Sequence, residues 1–298
     1  MTAGLWRLLA DGRVRLARGD SEEGPAELLA ESLSLTGLLA DPAEPLQHLE
    51  SLPAAGQVPR GATTLAPLDQ QPVWAAGVTF QRSREARQEE ASDGGDVYDR
   101  VYTAVRPELF VKAGPGAAIG TKDELGVRAD SDWNVPEPEL GIVADPRGRP
   151  QAFVLGNDMS SRSIEGENPL YLPQAKVYDR SCGIGPCLVP VSLAPAWRDL
   201  RIELIIRRGG VTAYQDAMEL ATMRRTPDEL LGWLFAANSF PAGVALLTGT
   251  SLVPPSPFSL RARDEVIVRA VGLGVLANII TVVGSVLAAA GTPATAPS

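Results

Sequence analysis

Histidine, cysteine and lysine are all scarce in this chain of 298 residues. The only histidine is His48, and the two cysteines, Cys182 and Cys187, lack the spacing of a zinc ribbon or a redox motif. A zinc centre is therefore not expected, because no group of thiolates and imidazoles is available to form one. We interpret His48 as a surface or packing residue, and both cysteines as buried apolar side chains in a reducing compartment.

Positive charge is also in short supply, since the formal net charge is −9. The sequence has no basic run and no basic patch interleaved with aromatic residues, so a nucleic acid partner is not expected. Hydrophobic residues make up 45% of the chain and charged residues 21%, which is typical of a soluble globular protein. The length suits one large domain with a smaller one.

Long uncharged runs are rare, and only one of them raises the question of a membrane span. The N-terminal segment has no apolar core of signal-peptide length before charges interrupt it. Residues 273–291 carry no charge and are numerous enough to cross a bilayer. Their Val, Ile and Thr content, together with Asn278 and several glycines, favours a buried strand followed by an Ala-rich turn. We therefore expect a cytoplasmic protein with no membrane partner.

Turn signals divide the chain into two parts. Asp11 and Gly12 lie between two apolar runs and predict a β-hairpin near the N-terminus. A stretch punctuated by proline then leads to a boundary near Gln71. We predict a small N-terminal domain over residues 1–70 and a larger domain over residues 71–298.

The larger domain combines a few helices with many short strands. Helices are predicted after Ser83 and Asp96, and the clearest one follows Thr226, where Pro227 fits the first turn and Glu229 completes a capping box. Short apolar or alternating runs divided by glycine and proline predict strands, among them ELFVKA, PELGIVA, AFVLGND and RIELIIRRGG. This pattern indicates an α+β fold, with helices on the outside of a mostly β body.

Three acidic residues lie in or beside strand-like sequence, where carboxylates are rare. Glu137 and Glu139 flank Pro138 at the start of one run, so the alternation of a strand places both on one face. Asp158 ends the next run and joins them if the two runs pair. Such carboxylates repel one another unless a cation or a proton lies between them, and three oxygen ligands suit Mg²⁺ or Mn²⁺. The alternative is an acidic edge exposed to solvent.

Several motifs, taken in order, resemble the fumarylacetoacetate hydrolase superfamily. They are PEPELGIVAD, LGNDMSSRS, AKVYDRSCGIGP, LLTGT and VGLGVLANII, and the resemblance covers roughly residues 73–283. It implies a mixed β-roll or distorted barrel and a homo-oligomer, such as a dimer or tetramer. It also implies a metal ion held by Glu137, Glu139 and Asp158.

Longer stretches resemble one branch of that superfamily, the 2-keto-3-deoxy-D-arabinonate dehydratases. They are VYDRVYTAVRPELFVKA, SDWNVPEPEL and EGENPLYLPQAKVYDRSCGIGP. The hydrolases of the superfamily carry a water-activating histidine where this chain has Gln81, Arg82 and Ser83. The resemblance therefore implies a lyase that dehydrates a 2-keto-3-deoxy sugar acid to 2,5-dioxopentanoate, with Mg²⁺ or Mn²⁺ as cofactor and a small 2-oxo sugar acid as the molecule bound.

The same resemblance implies roles for individual side chains. Lys176 and Glu108 are expected to perform acid–base catalysis. Thr250, Glu165 and Arg106 are expected to contact the substrate. Ordinary alternatives stay open for most of them: a helix cap or a surface salt bridge for Glu108, a turn hydroxyl for Thr250, and exposed positions for Glu165 and Arg106.

Only three lysines, Lys112, Lys122 and Lys176, occur in a chain that otherwise uses arginine, so they are candidates for positions that need a compact primary amine. Lys176 could be a general base, because burial or a neighbouring cation lowers the pKa of a lysine. Nearby carboxylates act in the opposite direction, so it could instead stay charged and hold the 2-oxo acid end of the substrate. We expect Lys112 to be structural, Lys122 to be exposed, and Arg162 to orient Asp158.

Two other functions stay open. One is an acylpyruvate hydrolase or oxaloacetate decarboxylase of the same superfamily, with the same metal and enolate chemistry. The other is a non-catalytic protein that binds a sugar acid on the same fold. The missing histidine speaks against the hydrolase, and the metal ligands together with Lys176 speak against a protein that only binds.

Overall fold

Two mixed β-sheets form most of the structure, a computed structural model that describes residues 2–81 and 96–285. The larger sheet has eleven strands, which are β1 (Ala3–Ala10), β2 (Arg13–Asp20), β3 (Gly24–Leu29), β4 (Ala54–Gln57), β5 (Thr63–Thr64), β6 (Val73–Gly77), β7 (Glu108–Ala113), β10 (Pro138–Ala144), β11 (Pro150–Asp158), β13 (Cys182–Pro190) and β16 (Val244–Leu247). The smaller sheet has five, which are β8 (Glu124–Arg128), β14 (Arg201–Arg208), β15 (Val211–Glu219), β17 (Glu265–Ala270) and β18 (Gly274–Val283). A separate pair consists of β9 (Asn134–Val135) and β12 (Ser160–Ser161).

The helices of the described residues are short and lie between the strands. The α-helices are α1 (Leu35–Ala40), α2 (Asp96–Thr103), α3 (Arg162–Glu167), α4 (Leu172–Lys176) and α5 (Pro227–Phe235). The 3-10 helices are Pro45–Ser51, Pro169–Tyr171, Trp197–Asp199 and Leu220–Thr222. The helix predicted from Ser83 lies outside the described residues.

The order of the strands confirms the predicted α+β class. The larger sheet runs β4-β3-β2-β1-β13-β11-β10-β16-β6-β7, with β5 attached to β1, and the smaller runs β15-β14-β17-β18-β8. Neighbouring strands are antiparallel except for the pairs β16/β6 and β18/β8, which are parallel. Over residues 2–81 and 96–285, the larger sheet ends at β4 and β7 without joining them. The expected mixed roll is therefore an open, distorted sheet and not a closed barrel.

The central strands of the larger sheet are buried on both faces. One face of β10, with Leu140 and Ile142, belongs to a core shared with the smaller sheet, including Leu204 of β14. The opposite face, with Val143, packs in a second core that includes Leu39 of α1. Burial on both faces explains why the sequences of these strands are nearly continuous apolar runs. Each fully buried Leu or Ile side chain contributes about 1.5–3 kcal/mol to the stability of the fold. Charged groups on such strands need partners within the protein.

Two local predictions can be followed directly. The hairpin is confirmed, because Ala10 pairs with Arg13 across Asp11 and Gly12, which have φ values of 49° and 73°. The Thr226 cap is also confirmed, since its hydroxyl accepts a hydrogen bond from Glu229 N at 3.2 Å.

The carboxylate of Glu229 has a different partner from the one that a capping box provides. It accepts a hydrogen bond from Arg225 Nη1 at 2.5 Å. The same guanidinium donates to the carbonyl oxygens of Ala104 and Val105, at 2.6 and 3.1 Å. Arg225 therefore links the start of α5 to the segment that follows α2.

The N-terminal strands are continuous with the main sheet, since β1 pairs with β13. Gln71, at the expected boundary, is buried and donates a hydrogen bond to the Ala242 carbonyl at 2.7 Å. The division into residues 1–70 and 71–298 stays a prediction. The uncharged run from residue 273 forms strand β18 as expected, but the strand is not fully buried, because Val275, Ile279 and Val282 are exposed. The last residues of the run, 286–291, lie outside the described ones. No helix in the described ranges is long and apolar enough to cross a membrane.

Candidate active site

The three acidic residues meet where β10 and β11 pair. Glu137 directly precedes β10, Glu139 lies within it, and Asp158 is the last residue of β11. Asp158 N donates to the Glu137 carbonyl at 2.9 Å, and one carboxylate oxygen from each residue lies within 4.8 Å of the others. The side chains of these residues cannot form a solvated edge, because Glu137, Glu139 and Asp158 are only 3%, 2% and 1% exposed.

Three cations surround these carboxylates. Lys176 Nζ lies 2.6 Å from Glu137 Oε2 and 3.0 Å from Asp158 Oδ2. Lys112 Nζ lies 2.5 Å from Asp158 Oδ1, and Arg162 Nη2 lies 2.6 Å from Glu137 Oε1. All three cations are buried. Because a buried charge is costly without a partner, removal of any one of these charged side chains would destabilise the groups that it contacts.

Glu139 is the least compensated of the three carboxylates. Burial raises its pKa well above the usual value, and the negative charges of Asp158 and Glu137 raise it further. Lys176 and a hydrogen bond from Gly249 N, at 2.6 Å, act in the opposite direction. A positive charge placed among the three carboxylates would favour the ionised form of Glu139.

The donors around the carboxylates suit a small divalent cation. Lys112 holds one oxygen of Asp158, Arg162 holds one oxygen of Glu137, and Gly249 N holds Glu139 Oε2. Each carboxylate is thereby fixed in orientation. The second oxygens of Glu137 and Asp158 contact Lys176, so a bound cation would share them with its ammonium group. Three carboxylate oxygens at fixed positions are ligands of the kind that Mg²⁺ and Mn²⁺ prefer, so the residues present fit the expected ion.

A narrow cleft opens beside the carboxylates. Its walls are formed by the three acidic residues together with Ala76, Gly77, Val78, Phe110, Arg162, Lys176, Gly249 and Thr250. The Phe110 ring centre lies 5.8 Å from Lys176 Nζ, so an aromatic face supports the ammonium group. Thr250 Oγ1 accepts a hydrogen bond from Leu252 N at 3.0 Å and lies 3.4 Å from Met218 Sδ. The predicted residues Lys176 and Thr250 are thus brought together with the three carboxylates.

The other predicted residues are not among those that line the cleft. Glu108 is the first residue of β7, and its Oε2 atom is buried against Gly77 of the cleft wall. Glu165 is buried in α3, with Oε2 4.0 Å from Arg162 Nε, so it lies behind the cleft wall. Arg106 is exposed, and its guanidinium lies 4.6 Å from the ring centre of Trp233. The structure does not bring Arg106 to the cleft.

The remaining sequence expectations concern residues around the cluster. Arg162 was expected to orient Asp158, but the carboxylate that it contacts is Glu137. The reason is its place at the start of α3, where its backbone N binds the Trp133 carbonyl at 2.8 Å and brings the side chain towards Glu137. Lys122 and His48 are exposed.

Both cysteines are buried and unpaired by disulfides. Burial raises the pKa of the Cys182 thiol to about 12. Its thiol is therefore not ionised near neutral pH and behaves as a small apolar side chain. Cys187 is equally buried, and burial raises the pKa of its thiol as well.

Residues that sequence reasoning missed include Gly249, which binds Glu139, and Phe110, which supports Lys176. Neither carries a signal in the sequence, because one acts through its backbone and the other lies in an ordinary apolar run. The sequence predicts only a structural role for Lys112. Its Nζ also donates to the Met159 and Lys176 carbonyls, at 2.9 and 2.5 Å.

A model of the family described as "Fumarylacetoacetate (FAA) hydrolase C-terminal" matches residues 78–282. The chain belongs to this family. A match over residues 78–282 includes strands β7 to β17 and every residue of the carboxylate cluster. The family resemblance expected from the motifs is therefore confirmed.

Two dehydratases resemble the chain over most of its length. A "probable 2-keto-3-deoxyxylonate dehydratase" of Haloferax volcanii is 50% identical over 226 residues, which are 76% of this chain and 77% of the relative. A "2-dehydro-3-deoxy-D-arabinonate dehydratase" of Saccharolobus solfataricus is 37% identical over 213 residues, which are 70% of this chain and 72% of the relative.

Two solved structures of dehydratases share this fold. A 2-keto-3-deoxyarabinonate dehydratase in a hexagonal crystal form has a TM-score of 0.82 at 29% identity, covering 94% of this chain and 99% of the other. A 2-keto-3-deoxy-D-arabinonate dehydratase complexed with magnesium and 2,5-dioxopentanoate has a TM-score of 0.80 at 28% identity, covering 93% and 98%.

The first prediction concerns Lys112, which is fully buried and holds Asp158 together with two carbonyls. Lys112→Met should lower the free energy of unfolding by about 3–5 kcal/mol, because it removes one of the two cations that contact the buried Asp158 carboxylate. Lys122→Met is the control, since Lys122 is exposed, and should change it by less than about 0.5 kcal/mol. Urea denaturation in EDTA measures both values, and equal stabilities would contradict the bridging role.

The second prediction concerns Glu139, whose raised pKa means that the folded protein binds this proton more tightly than the unfolded chain. The contribution of Glu139 to stability is therefore lost as the pH rises through its folded pKa. Glu139→Gln removes this loss and keeps an acceptor for Gly249 N. In EDTA the variant should be at least as stable as the unmodified protein above that pKa, and calorimetry should show weaker Mg²⁺ binding. Undiminished Mg²⁺ affinity would contradict the assignment.

Proposed function

We propose that this chain is a metal-dependent dehydratase of a 2-keto-3-deoxy sugar acid, and that it converts 2-dehydro-3-deoxy-D-arabinonate to 2,5-dioxopentanoate and water. The observation that carries the proposal is the buried Lys176 ammonium in contact with two of three clustered carboxylates. This arrangement places a candidate proton acceptor beside a candidate metal site. The names of both relatives, and the magnesium and 2,5-dioxopentanoate in a solved homologous structure, support it.

The names of the two relatives are compatible with one substrate. Xylonate and arabinonate of the same series differ only in configuration at C2 and C3. A 2-keto-3-deoxy derivative has no stereocentre at either carbon, so the two names describe the same compound when both belong to the D series. The hydroxyl at C4 is the group lost, and its configuration is the only stereochemistry left for the site to select.

Glu137, Glu139 and Asp158 would hold the divalent cation. Bound Mg²⁺ or Mn²⁺ supplies positive charge for the 2-oxo acid end of the substrate. Lys112, Arg162 and Gly249 N hold the three carboxylates in fixed orientations in the absence of substrate. Such preorganisation avoids a reorganisation cost during the reaction.

Lys176 is the residue that we propose to remove the proton from C3, beside the ketone. It is buried, it lines the cleft, and the Phe110 ring lies below its ammonium group. Its contacts with Glu137 and Asp158 also favour the charged form, which would instead hold the substrate carboxylate. The two roles give different outcomes in the experiment described below.

Glu108 is the residue that we propose to donate a proton to the C4 hydroxyl as it leaves. Two tautomerisations then move one hydrogen from C5 to C3 and the proton of the C5 hydroxyl to C4. They convert the terminal alcohol of the unsaturated product to an aldehyde, which gives 2,5-dioxopentanoate. Thr250 lines the cleft and is our proposed contact for the 2-oxo acid end. Glu165 would act through Arg162, and the exposed Arg106 would contribute only if a bound substrate reached it.

The runner-up is a hydrolase or decarboxylase acting on acylpyruvates or oxaloacetate with the same metal ligands. The histidine that hydrolases use is replaced by Gln81, Arg82 and Ser83, of which the last two lie outside the described residues. Nuclear magnetic resonance of the products from several 2-keto-3-deoxy sugar acids, acylpyruvates and oxaloacetate, each with Mg²⁺, distinguishes these activities. No product from any of them would favour a protein that only binds sugar acids. The cytoplasmic location and the homo-oligomer stay predictions.

The third prediction separates the two roles of Lys176. If Lys176 is the base, Lys176→Met should abolish turnover and the exchange of C3 hydrogen for deuterium, while substrate still binds. If Lys176 only holds the substrate, exchange should persist at saturating concentration with a raised KM. Wild-type kcat and KM in the variant would exclude both roles.

The fourth prediction concerns His48, the only histidine, which lies exposed in the 3-10 helix Pro45–Ser51. His48→Ala should leave the rate of dehydration nearly unchanged, because His48 does not line the cleft. Steady-state kinetics with Mg²⁺ measure the effect. A large loss of turnover in a folded variant would mean that the catalytic base is misassigned.

A further inference from the structure

Gly77 and Glu108 face each other across the pair formed by β6 and β7. Gly77 is the last residue of β6, and its partner in the antiparallel register is Glu108, the first residue of β7. Side chains of directly opposed residues share one face of the sheet and are close enough to touch. At this pair one of the two side chains is missing, and the other is that of a residue with a proposed catalytic role.

The Glu108 carboxyl group fills the space that a side chain at residue 77 would need. A Cβ atom at residue 77 would overlap Glu108 Oε2 and would lie 2.7 Å from its Cδ and 3.3 Å from its Cγ. Gly77 is not among the glycines with positive φ, so its backbone would accept alanine. The position therefore requires glycine because of a neighbouring side chain and not because of its own conformation.

The space at residue 77 belongs to the wall of the cleft. Gly77 lines the cleft between Ala76 and Val78, and Lys176 and the carboxylates line the same cleft. Val78 has a φ of 53°, a left-handed conformation that β-branched residues rarely adopt. The chain thus turns sharply directly after Gly77, and the carboxyl group of Glu108 lies against the cleft wall at that turn.

We propose that Gly77 is a positioning residue, whose missing side chain lets the Glu108 carboxyl group lie against the cleft wall in the orientation that the reaction needs. The proposal rests on the role of Glu108 in the proposed function. Gly77 itself supplies no chemical group to the reaction. Because Glu108 is a flexible side chain, a methyl group at residue 77 would displace its carboxyl group and leave the sheet intact.

The contact can be tested without substrate. Gly77→Ala should lower the melting temperature when Glu108 is present, because the carboxyl group, whose Oε2 atom is buried, is displaced. In the Glu108→Ala background the same substitution should cause no loss, since the space is then free. Gly114→Ala is the control, because Gly114 has no atom within 4 Å of its Cβ position and no positive φ, and it should change neither background. Equal losses from Gly77→Ala in both backgrounds would overturn the contact.

The positioning role of Gly77 is tested by steady-state kinetics with Mg²⁺ and 2-keto-3-deoxy-D-arabinonate. Gly77→Ala should lower kcat by about tenfold to a hundredfold, with KM and Mg²⁺ affinity changed by less than about twofold, because a small misplacement of a catalytic group is costly. In the Glu108→Gln background, Gly77→Ala should cause no further loss of kcat, because the proposed proton donor is already absent. Wild-type kcat in Gly77→Ala, or an equal additional loss in the Glu108→Gln background, would overturn the positioning role. No turnover by the unmodified protein would overturn the proposed function, while the melting temperatures would still accept or reject the contact.

Discussion

The burial of three carboxylates beside three cations is the constraint on which the rest of the site depends. Glu137, Glu139 and Asp158 are brought together by the pairing of β10 with β11, at a position with protein on both faces of the sheet. Water cannot solvate them there, so the surrounding segments must supply positive charge and hydrogen-bond donors. Strand β7 supplies Lys112, and α3 and α4 supply Arg162 and Lys176. The fold and the charge balance therefore depend on each other.

Close packing of the backbone is the second requirement. Gly249 has a φ of 88° and donates its N–H to Glu139, while a Cβ atom there would overlap Thr79 Oγ1 and lie 2.9 Å from the Ala76 carbonyl oxygen. Only glycine combines this conformation with this approach. The donor is consequently a backbone group on a rigid segment, which holds the carboxylate at less entropic cost than a long side chain would.

The sequence allowed prediction of features that depend on neighbouring residues. The Asp11–Gly12 hairpin, the Thr226 cap and the shared location of Glu137 and Glu139 follow from turn chemistry, capping and strand alternation. Contacts between residues that are distant in the sequence could not be predicted in this way. The bond from Lys112 to the Lys176 carbonyl joins residues 64 positions apart, and it depends on which strands pair and in which register. The position of Arg106 on Trp233 was missed for the same reason, because α5 is distant in sequence.

The pairing register of the edge strand β7 with β6 determines which side chains of β7 face the cleft. Alternate residues share a face of a strand, and on this face Glu108 reaches Gly77 and Phe110 supports Lys176. Lys112, which binds Asp158, lies at the register shift between the partners of Val73 and Trp74. A shift of one residue between β6 and β7 would turn Glu108 and Phe110 away from the cleft together. The cost of leaving Asp158 without Lys112 opposes that shift. The ion pair that stabilises the buried aspartate thus also fixes the register that presents the proposed proton donor.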